Sequence, residues 1–288
     1  MTARRTKTKA VLSVAAAAVL FSTGGTAIKT AAFSAMQIAS MRSGVAAAML
    51  LLWFGNRVEW TPRVVAIGLV YAATLLLFVA ATKLTTAASA IFLQSAAPLY
   101  VALIGPLVLR ERLHARDFAV LAAVAIGLAC CLAAGTESSL TAPDPWTGNL
   151  LGALCGVAWA FTLLGLRWGA RADRDLAVSA VIAGNLFAFV AGVPALWPLP
   201  TVAPAEWATL AYLGIFQIGV AYILLTRAMR DLAALQVSLF LLLEPALNPL
   251  WAWLVQGEVP SGLALAGGAV ILVASGTKAF MDAVREQA

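Results

Sequence analysis

The sequence predicts an all-α membrane protein with ten transmembrane helices, arranged as two inverted repeats of five helices each. Its apolar composition, the spacing of its basic clusters and a weak internal repeat carry this prediction. Of the 288 residues, 62% are hydrophobic and 11% are charged, whereas soluble domains hold about 45–50% apolar and about 25% charged residues. Ten spans of about 20 residues use about 200 residues and leave only short loops. We therefore expect no soluble catalytic domain and no enzyme.

Ten apolar segments follow one another along the chain. They lie near residues 10–28, 35–54, 63–82, 87–109, 116–134, 147–168, 176–197, 207–227, 232–255 and 261–280. The first segment follows a basic N-terminus, as the apolar part of a signal peptide would. Its removal would leave nine spans and break the internal repeat, so we interpret it as the first span.

Basic residues are concentrated at alternate loops. The chain has a formal charge of +6, and sixteen of its 19 lysines and arginines fall at span ends that share one side of the membrane. The exceptions are Lys29, Arg42 and Lys83. By the positive-inside rule that side is the cytoplasm, which predicts a multi-pass protein of the cell (inner) membrane with both termini cytoplasmic. The clusters are not interleaved with aromatic residues, so we expect no nucleic-acid partner.

The chain divides into two similar halves. We predict a first five-helix repeat over 1–135, a connecting loop over 136–146 and a second five-helix repeat over 147–288. A shift of 147 residues brings three features into register: Ala87 with Ala234, Pro98 with Pro245, and Glu111 with Glu258. Because each half holds an odd number of spans, the halves insert in opposite orientations, related by a two-fold axis in the membrane plane.

Two charged residues lie well inside the predicted spans, where an ionisable group is costly and indicates function. Glu244 is about 12 residues into the ninth span, which at 1.5 Å per residue is roughly 18 Å deep. Arg42 lies in the second span. As binding residues, Glu244 would take an amine or a coupling proton and Arg42 a carboxylate. As structural residues, they would make packing contacts or pair with each other.

Uncharged polar and aromatic side chains at similar depth complete the candidate binding site. The polar candidates are Ser22, Thr23, Gln94, Ser95, Thr162, Asn185, Gln217 and Asn248. The aromatic candidates, which suit apolar or aromatic cargo, are Tyr71, Trp159, Tyr222 and Trp251. A ligand pocket needs a few such polar groups among apolar walls. The alternative is that they form hydrogen bonds between helices and fill space in the bundle.

Pro98 and Pro245 lie in the middle of equivalent spans. Proline removes a backbone donor and kinks a helix, so we predict that these two residues mark gating helices. A fixed kink that only shapes a cavity is the alternative.

Several kinds of chemistry are absent from the sequence. It has no phosphate-binding loop, so nothing suggests ATP hydrolysis. His114 is the only histidine, and the three cysteines lie in apolar runs. We therefore expect no metal site, no cofactor and no catalytic residues.

Four short motifs carry a family resemblance that extends over essentially the whole chain. They are Phe21 to Lys29, Met41-Arg42, Ala97-Pro98 continuing to Leu113, and Leu243-Glu244-Pro245 continuing to Glu258. In their order they resemble the EamA-type transporters of the drug/metabolite transporter superfamily, although Phe21 stands where family members often carry tryptophan.

The resemblance implies export or exchange of a small metabolite, such as an amino acid, by alternating access through a central cavity. The expected partners are a small-molecule solute and the lipid bilayer, with coupling to protons left open. Two alternatives also stay open: a membrane-embedded enzyme or lipid translocator using the Glu244 region, and an uncoupled channel-like facilitator.

Overall fold

A computed structural model describes residues 2–55, 58–110, 115–133, 142–173 and 175–256, together with part of 262–277. Its α-helices are α1 (Thr2–Ser22), α2 (Gly24–Thr30), α3 (Ala35–Phe54), α4 (Pro62–Leu84), α5 (Ala87–Gln94), α6 (Ala97–Leu109), α7 (Ala115–Ala133), α8 (Pro145–Ala172), α9 (Leu176–Gly192), α10 (Pro204–Tyr212), α11 (Ala221–Ala228), α12 (Ala234–Phe240) and α13 (Leu243–Gln256). A short 3₁₀ turn, Val193–Ala195, follows α9, and a π-helical turn, Leu213–Val220, joins α10 to α11.

Eight helical stretches of the described chain are long and apolar enough to cross a membrane. Four of them are composite: α1 with α2, α5 with α6, α10 with α11, and α12 with α13. α7 lies where the fifth span is predicted, but its apolar part, Asp117–Cys130, is shorter. Nine of the twenty residues of the tenth predicted segment, along with Glu111 and Glu258, lie outside the described residues. The all-helical membrane fold is confirmed, and the count of ten helices stays a prediction.

The two halves of the chain pack closely against each other, chiefly α4 and α5 against α8 and α3 and α4 against α9. A Cβ atom at Gly156 of α8 would lie 2.6 Å from the carbonyl oxygen of Leu93 in α5. Only glycine allows this approach, as is common between transmembrane helices. The contact places α8 directly beside the end of α5.

Two spans break at equivalent positions. α5 ends at Gln94 and α6 begins at Ala97, while α12 ends at Phe240 and α13 begins at Leu243. The second break follows the first by 146 residues, within one residue of the sequence repeat. Pro98 and Pro245 fall in the first turn of the new helix, where a missing N–H costs little. The breaks thus precede the prolines, which do not kink the interior of a continuous helix.

Basic side chains join helix ends at the two ends of the bundle. At the Lys29 end, Lys29 Nζ donates to the carbonyl oxygens of Thr82 (2.7 Å) and Thr85 (2.6 Å), and Lys83 Nζ donates to that of Ala31 (2.6 Å). α2 and α4 therefore each contribute a cation to the other's C-terminus, where the helix dipole is negative.

At the opposite, Arg167 end, Arg167 of α8 donates to the carbonyl oxygens of Met229 and Arg230, which follow α11. Arg171 donates to the carbonyl oxygen of Leu109 at the end of α6 (3.2 Å). Cations thus hold helix C-termini at both ends of the bundle.

Candidate functional site

A cavity lined by buried side chains lies between the two halves of the chain, beside the helix breaks. Six of the candidate residues line it: Arg42, Gln94, Trp159, Gln217, Tyr222 and Glu244. The remaining walls are Phe21, Thr74, Leu75, Phe78 and Ile218, which sequence reasoning did not assign to a site. The free volume is about 30 Å³, enough for about one water molecule.

Arg42 supplies the positive charge of this cavity. Its side chain is 1% exposed and extends from α3. Nη1 donates to Oε1 of Gln217 at 3.4 Å, and Nη2 donates to the carbonyl oxygen of Leu75 at 3.2 Å. Nε has no hydrogen-bond partner among the described residues. A guanidinium has five N–H donors, so Arg42 keeps donor capacity for a ligand.

Glu244 supplies the negative charge. It lies in the first turn of α13 and is 5% exposed. Because α12 ends just before it, the carboxylate lies near a helix N-terminus, where the dipole favours negative charge. No described side chain is hydrogen-bonded to this carboxylate, and no ion pair joins it to Arg42 within the described chain. The mutual ion pair, one of the structural alternatives for these two residues, is therefore not formed in this conformation.

A second, smaller cavity adjoins Glu244 between the two helix breaks. It has a volume of about 10 Å³ and is lined by Gln94, Ser95, Pro98 and Ser238 among others. Glu244 therefore borders free space on two sides. This position suits a group that exchanges a ligand or a proton.

Gln94 and Thr162 are held by neighbours across the interface between the halves. Cys155 Sγ lies 3.2 Å from Oε1 of Gln94 and 3.5 Å from the carbonyl oxygen of Thr74, and its single S–H can donate to either acceptor. The hydroxyls of Thr74 and Thr162 hydrogen-bond at 3.0 Å. Gln94 thus faces the cavity in a fixed orientation, whereas Thr162 lies behind Thr74.

Tyr222 is the centre of an aromatic cluster on one wall. Its ring centroid lies 4.6 Å from that of Tyr71, 5.2 Å from Phe21 and 6.2 Å from Trp159. Asn185 donates to the Tyr71 hydroxyl at 3.3 Å. Tyr71 and Asn185 therefore support Tyr222 from behind.

Trp251 and Asn248 do not line the central cavity. Trp251 borders a separate cleft of about 400 Å³ with Thr23 and Tyr212, and its Nε1 donates to Ser22 Oγ at 2.8 Å. Asn248 is fully buried, and neither amide atom has a hydrogen-bond partner among the described residues.

The π-helical turn Leu213–Val220, which sequence reasoning missed, presents Gln217 to Arg42. Such turns often mark functional sites. A Cβ atom at Gly214 would lie 2.8 Å from the Arg42 carbonyl oxygen, and one at Gly219 would lie 2.8 Å from Met49 Sδ. The glycine pair, five residues apart, is the sequence signal that indicates this close packing against α3.

The sequence profile of the EamA-like transporter family matches residues 8–133 and again residues 146–276. The chain belongs to the EamA-like transporter family. This confirms the predicted resemblance, and the family lies within the drug/metabolite transporter superfamily.

Two further proteins resemble this member of the EamA-like family. An uncharacterized transporter of Methanothermobacter thermautotrophicus is 26% identical over 199 residues, which cover 68% of this chain and 58% of the relative. The match thus spans less than two thirds of that relative's length. A crystal structure of a protein 23% identical gives a TM-score of 0.68, covering 100% of this chain and 99% of its own. The second likeness shows the fold.

Proposed function

We propose that this protein is a secondary transporter that exports or exchanges a small zwitterionic solute, such as an amino acid, across the cell (inner) membrane. The observation that carries the proposal is the placement of Arg42 and Glu244 on one cavity without an ion pair between them. Family membership supports transport in place of catalysis.

The two charges match the two ends of an amino acid. Arginine binds carboxylates through paired, charge-assisted hydrogen bonds, and a buried carboxylate can accept from an ammonium. A buried charge without a partner is unfavourable. A zwitterion that pairs with both Arg42 and Glu244 removes this penalty, which favours its binding. The rings of Trp159 and Tyr222 would contact the solute's apolar part.

The size of the cavity supports alternating access. Ligand sites occupy about 300–1,000 Å³, whereas this cavity offers about 30 Å³. The contacts of Lys29 and Arg167 join helices at both ends. Because the cavity is too small for an amino acid, we interpret this conformation as one in which an end of the bundle must open before a solute can enter.

Ten helices in two inverted repeats, over 1–135 and 147–288 with 136–146 between them, remain part of the proposal. The equivalent helix breaks and the two separate matches of the family profile support it. The arginines at the Arg167 end support a cytoplasmic position for that end.

Counterflow in proteoliposomes that contain only this protein tests the proposed function. Vesicles loaded with unlabelled L-phenylalanine or L-leucine should accumulate the labelled amino acid transiently and saturably. Phenethylamine and 3-phenylpropionate, which each lack one charge, should compete far more weakly. Equal competition by either analogue, or flux that never saturates, would contradict a zwitterion carrier and favour the facilitator.

The proposed gating role of Pro98 and Pro245 predicts opposite effects of two alanine substitutions. Proline lacks the N–H that would bond the carbonyl four residues earlier, and its ring clashes with that carbonyl. Pro98→Ala and Pro245→Ala remove this obstacle opposite Gln94 and Leu241, so each should favour a continuous span. In inverted halves this should bias the protein toward opposite states. Cysteines placed at Ala31 and at Ala228, which are buried near opposite ends, report the bias by maleimide labelling. Shifts in the same direction, or none, would leave the prolines with a static role.

A further inference from the structure

We infer that a solute carboxylate bound to Arg42 displaces Gln217, and that Gln217 then moves α2 at the break in the first span. This movement weakens the contacts between α2 and α4 at the Lys29 end of the bundle. The inference rests on the proposed function, because it takes Arg42 as the site of the solute carboxylate. It assigns Gln217 a positioning role that goes beyond lining the cavity.

The contact between Arg42 and Gln217 is easily replaced. Its length of 3.4 Å exceeds the usual 2.9–3.0 Å of an N–H···O bond by about half an ångström. A carboxylate accepts from a guanidinium at about 2.7–2.9 Å, and its negative charge makes it a stronger acceptor than the neutral amide of Gln217. A bound solute carboxylate should therefore replace Gln217 as the acceptor of the Nη1 hydrogen bond, and the Gln217 amide must then move.

The space around Gln217 limits where that amide can go. A Cβ atom at Gly24 would lie 2.5 Å from Gln217 Nε2 and 3.0 Å from its Cδ. The amide thus contacts the backbone of the first residue of α2, immediately after the break at Thr23. Any rotation of the amide changes its contact with α2.

The backbone that carries Gln217 is held in place on its other side. Gly214 and Gly219 bring the π-helical turn against α3, with ideal Cβ positions 2.6 Å from Val45 and 2.8 Å from Met49 Sδ. The interface leaves no gap for the turn to move toward α3. The side chain of Gln217 and the short helix α2 are therefore the parts that can adjust.

Movement of α2 reaches the Lys29 end within a short distance. Lys29 follows Gly24 by five residues, about 7.5 Å along a helix. Its ammonium holds the carbonyl oxygens of Thr82 and Thr85, and Ala31 at the end of α2 accepts from Lys83. A displaced α2 strains both contacts between α2 and α4, so solute on Arg42 favours opening at this end.

A reporter cysteine at Ala31 measures this coupling, since Ala31 is 4% exposed. In proteoliposomes, L-phenylalanine should raise the rate of labelling by an impermeant maleimide about fivefold or more, the lower range of allosteric couplings. Phenethylamine has no carboxylate and should leave the rate unchanged. The protein without the reporter gives the background from Cys130, Cys131 and Cys155.

Two variants test the route through Gln217. Gln217→Met keeps the volume beside Gly24 but accepts no hydrogen bond from Arg42, so labelling at saturating L-phenylalanine should equal labelling without it. Gly24→Ala places a methyl group where the amide lies and should raise labelling with no solute present. Gly105→Ala is the matched control, because its new methyl group would meet Leu164 at an ordinary 3.7 Å.

A double-mutant cycle decides the inference without any solute. If Gly24→Ala acts by displacing Gln217, it should add nothing to the labelling rate of Gln217→Ala. Additive effects would overturn the inference.

A second result would also overturn it: L-phenylalanine leaves the labelling rate of the Ala31 reporter unchanged, although the same protein exchanges this amino acid. The proposed function would then still stand. Absence of amino-acid counterflow in the wild-type protein would overturn the proposed function instead.

Discussion

Arg42→Met should nearly abolish amino-acid counterflow. The substitution keeps an unbranched side chain of similar length but removes the charge, leaving a solute carboxylate with no cation in the cavity. Removing one partner of a buried charge interaction costs about 2–5 kcal/mol, which corresponds to a loss of affinity of about 30-fold or more. The dissociation constant for L-phenylalanine, measured on purified protein, and the counterflow rate should both report this loss.

Two further variants make the Arg42 result interpretable. Arg42→Lys keeps the charge without the paired donors, so it should bind more weakly than the wild type and better than Arg42→Met. Arg63→Met is the matched control, because the Arg63 guanidinium packs over the Trp168 ring at 4.9 Å, outside the cavity. Wild-type affinity in Arg42→Met would remove Arg42 from the binding site.

Glu244→Gln should cause the second large loss. If Glu244 binds the solute ammonium, the neutral amide should weaken binding by about 2–5 kcal/mol, and both counterflow and net uptake should fail. If it carries a coupling proton, counterflow should persist while accumulation driven by a pH gradient disappears. Wild-type behaviour in both assays, over a range of pH, would reject both roles.

The pH profile adds a second measurement. An ammonium-binding role requires an ionised carboxylate, so wild-type counterflow should fall as acid protonates Glu244. The low residual counterflow of the Gln variant should not change with pH. Glu59→Gln is the matched control, because Glu59 is exposed and lies in the loop between α3 and α4. It should reproduce the wild-type profile.

Much of the fold follows from the sequence because a bilayer restricts the choices. Apolar runs must be helical, which predicts the spans. Polar side chains inside them must avoid lipid, which is why Arg42, Glu244, Gln94 and Gln217 all face the interior. The Pro98 and Pro245 positions also indicate helix breaks, although the breaks come before the prolines.

The rest of the site depends on packing that sequence periodicity does not encode. The turn Leu213–Val220 is apolar and has no proline, so a π-helical geometry leaves no signal beyond Gly214 and Gly219. The sequence assigned Trp251 to the binding site only because of its depth in the span. In the structure, the Trp251 indole donates to Ser22 at the edge of another cleft. In the sequence, Lys29 and Lys83 are only exceptions to the positive-inside pattern. In the structure, each donates hydrogen bonds to the C-terminal end of a neighbouring helix.

The presence of one cationic and one anionic side chain on the same cavity has an electrical consequence. With both groups ionised, the charges of Arg42 and Glu244 sum to zero, and a zwitterion adds none. A charge that crosses the full membrane field is worth about 2.3 kcal/mol per 100 mV. Under the proposed alternating access, we therefore expect the membrane potential to have no effect on the reorientation of the carrier, whether it is unloaded or carries a zwitterion. A proton on Glu244 would leave one net positive charge, and we expect voltage to drive the transition only in that state.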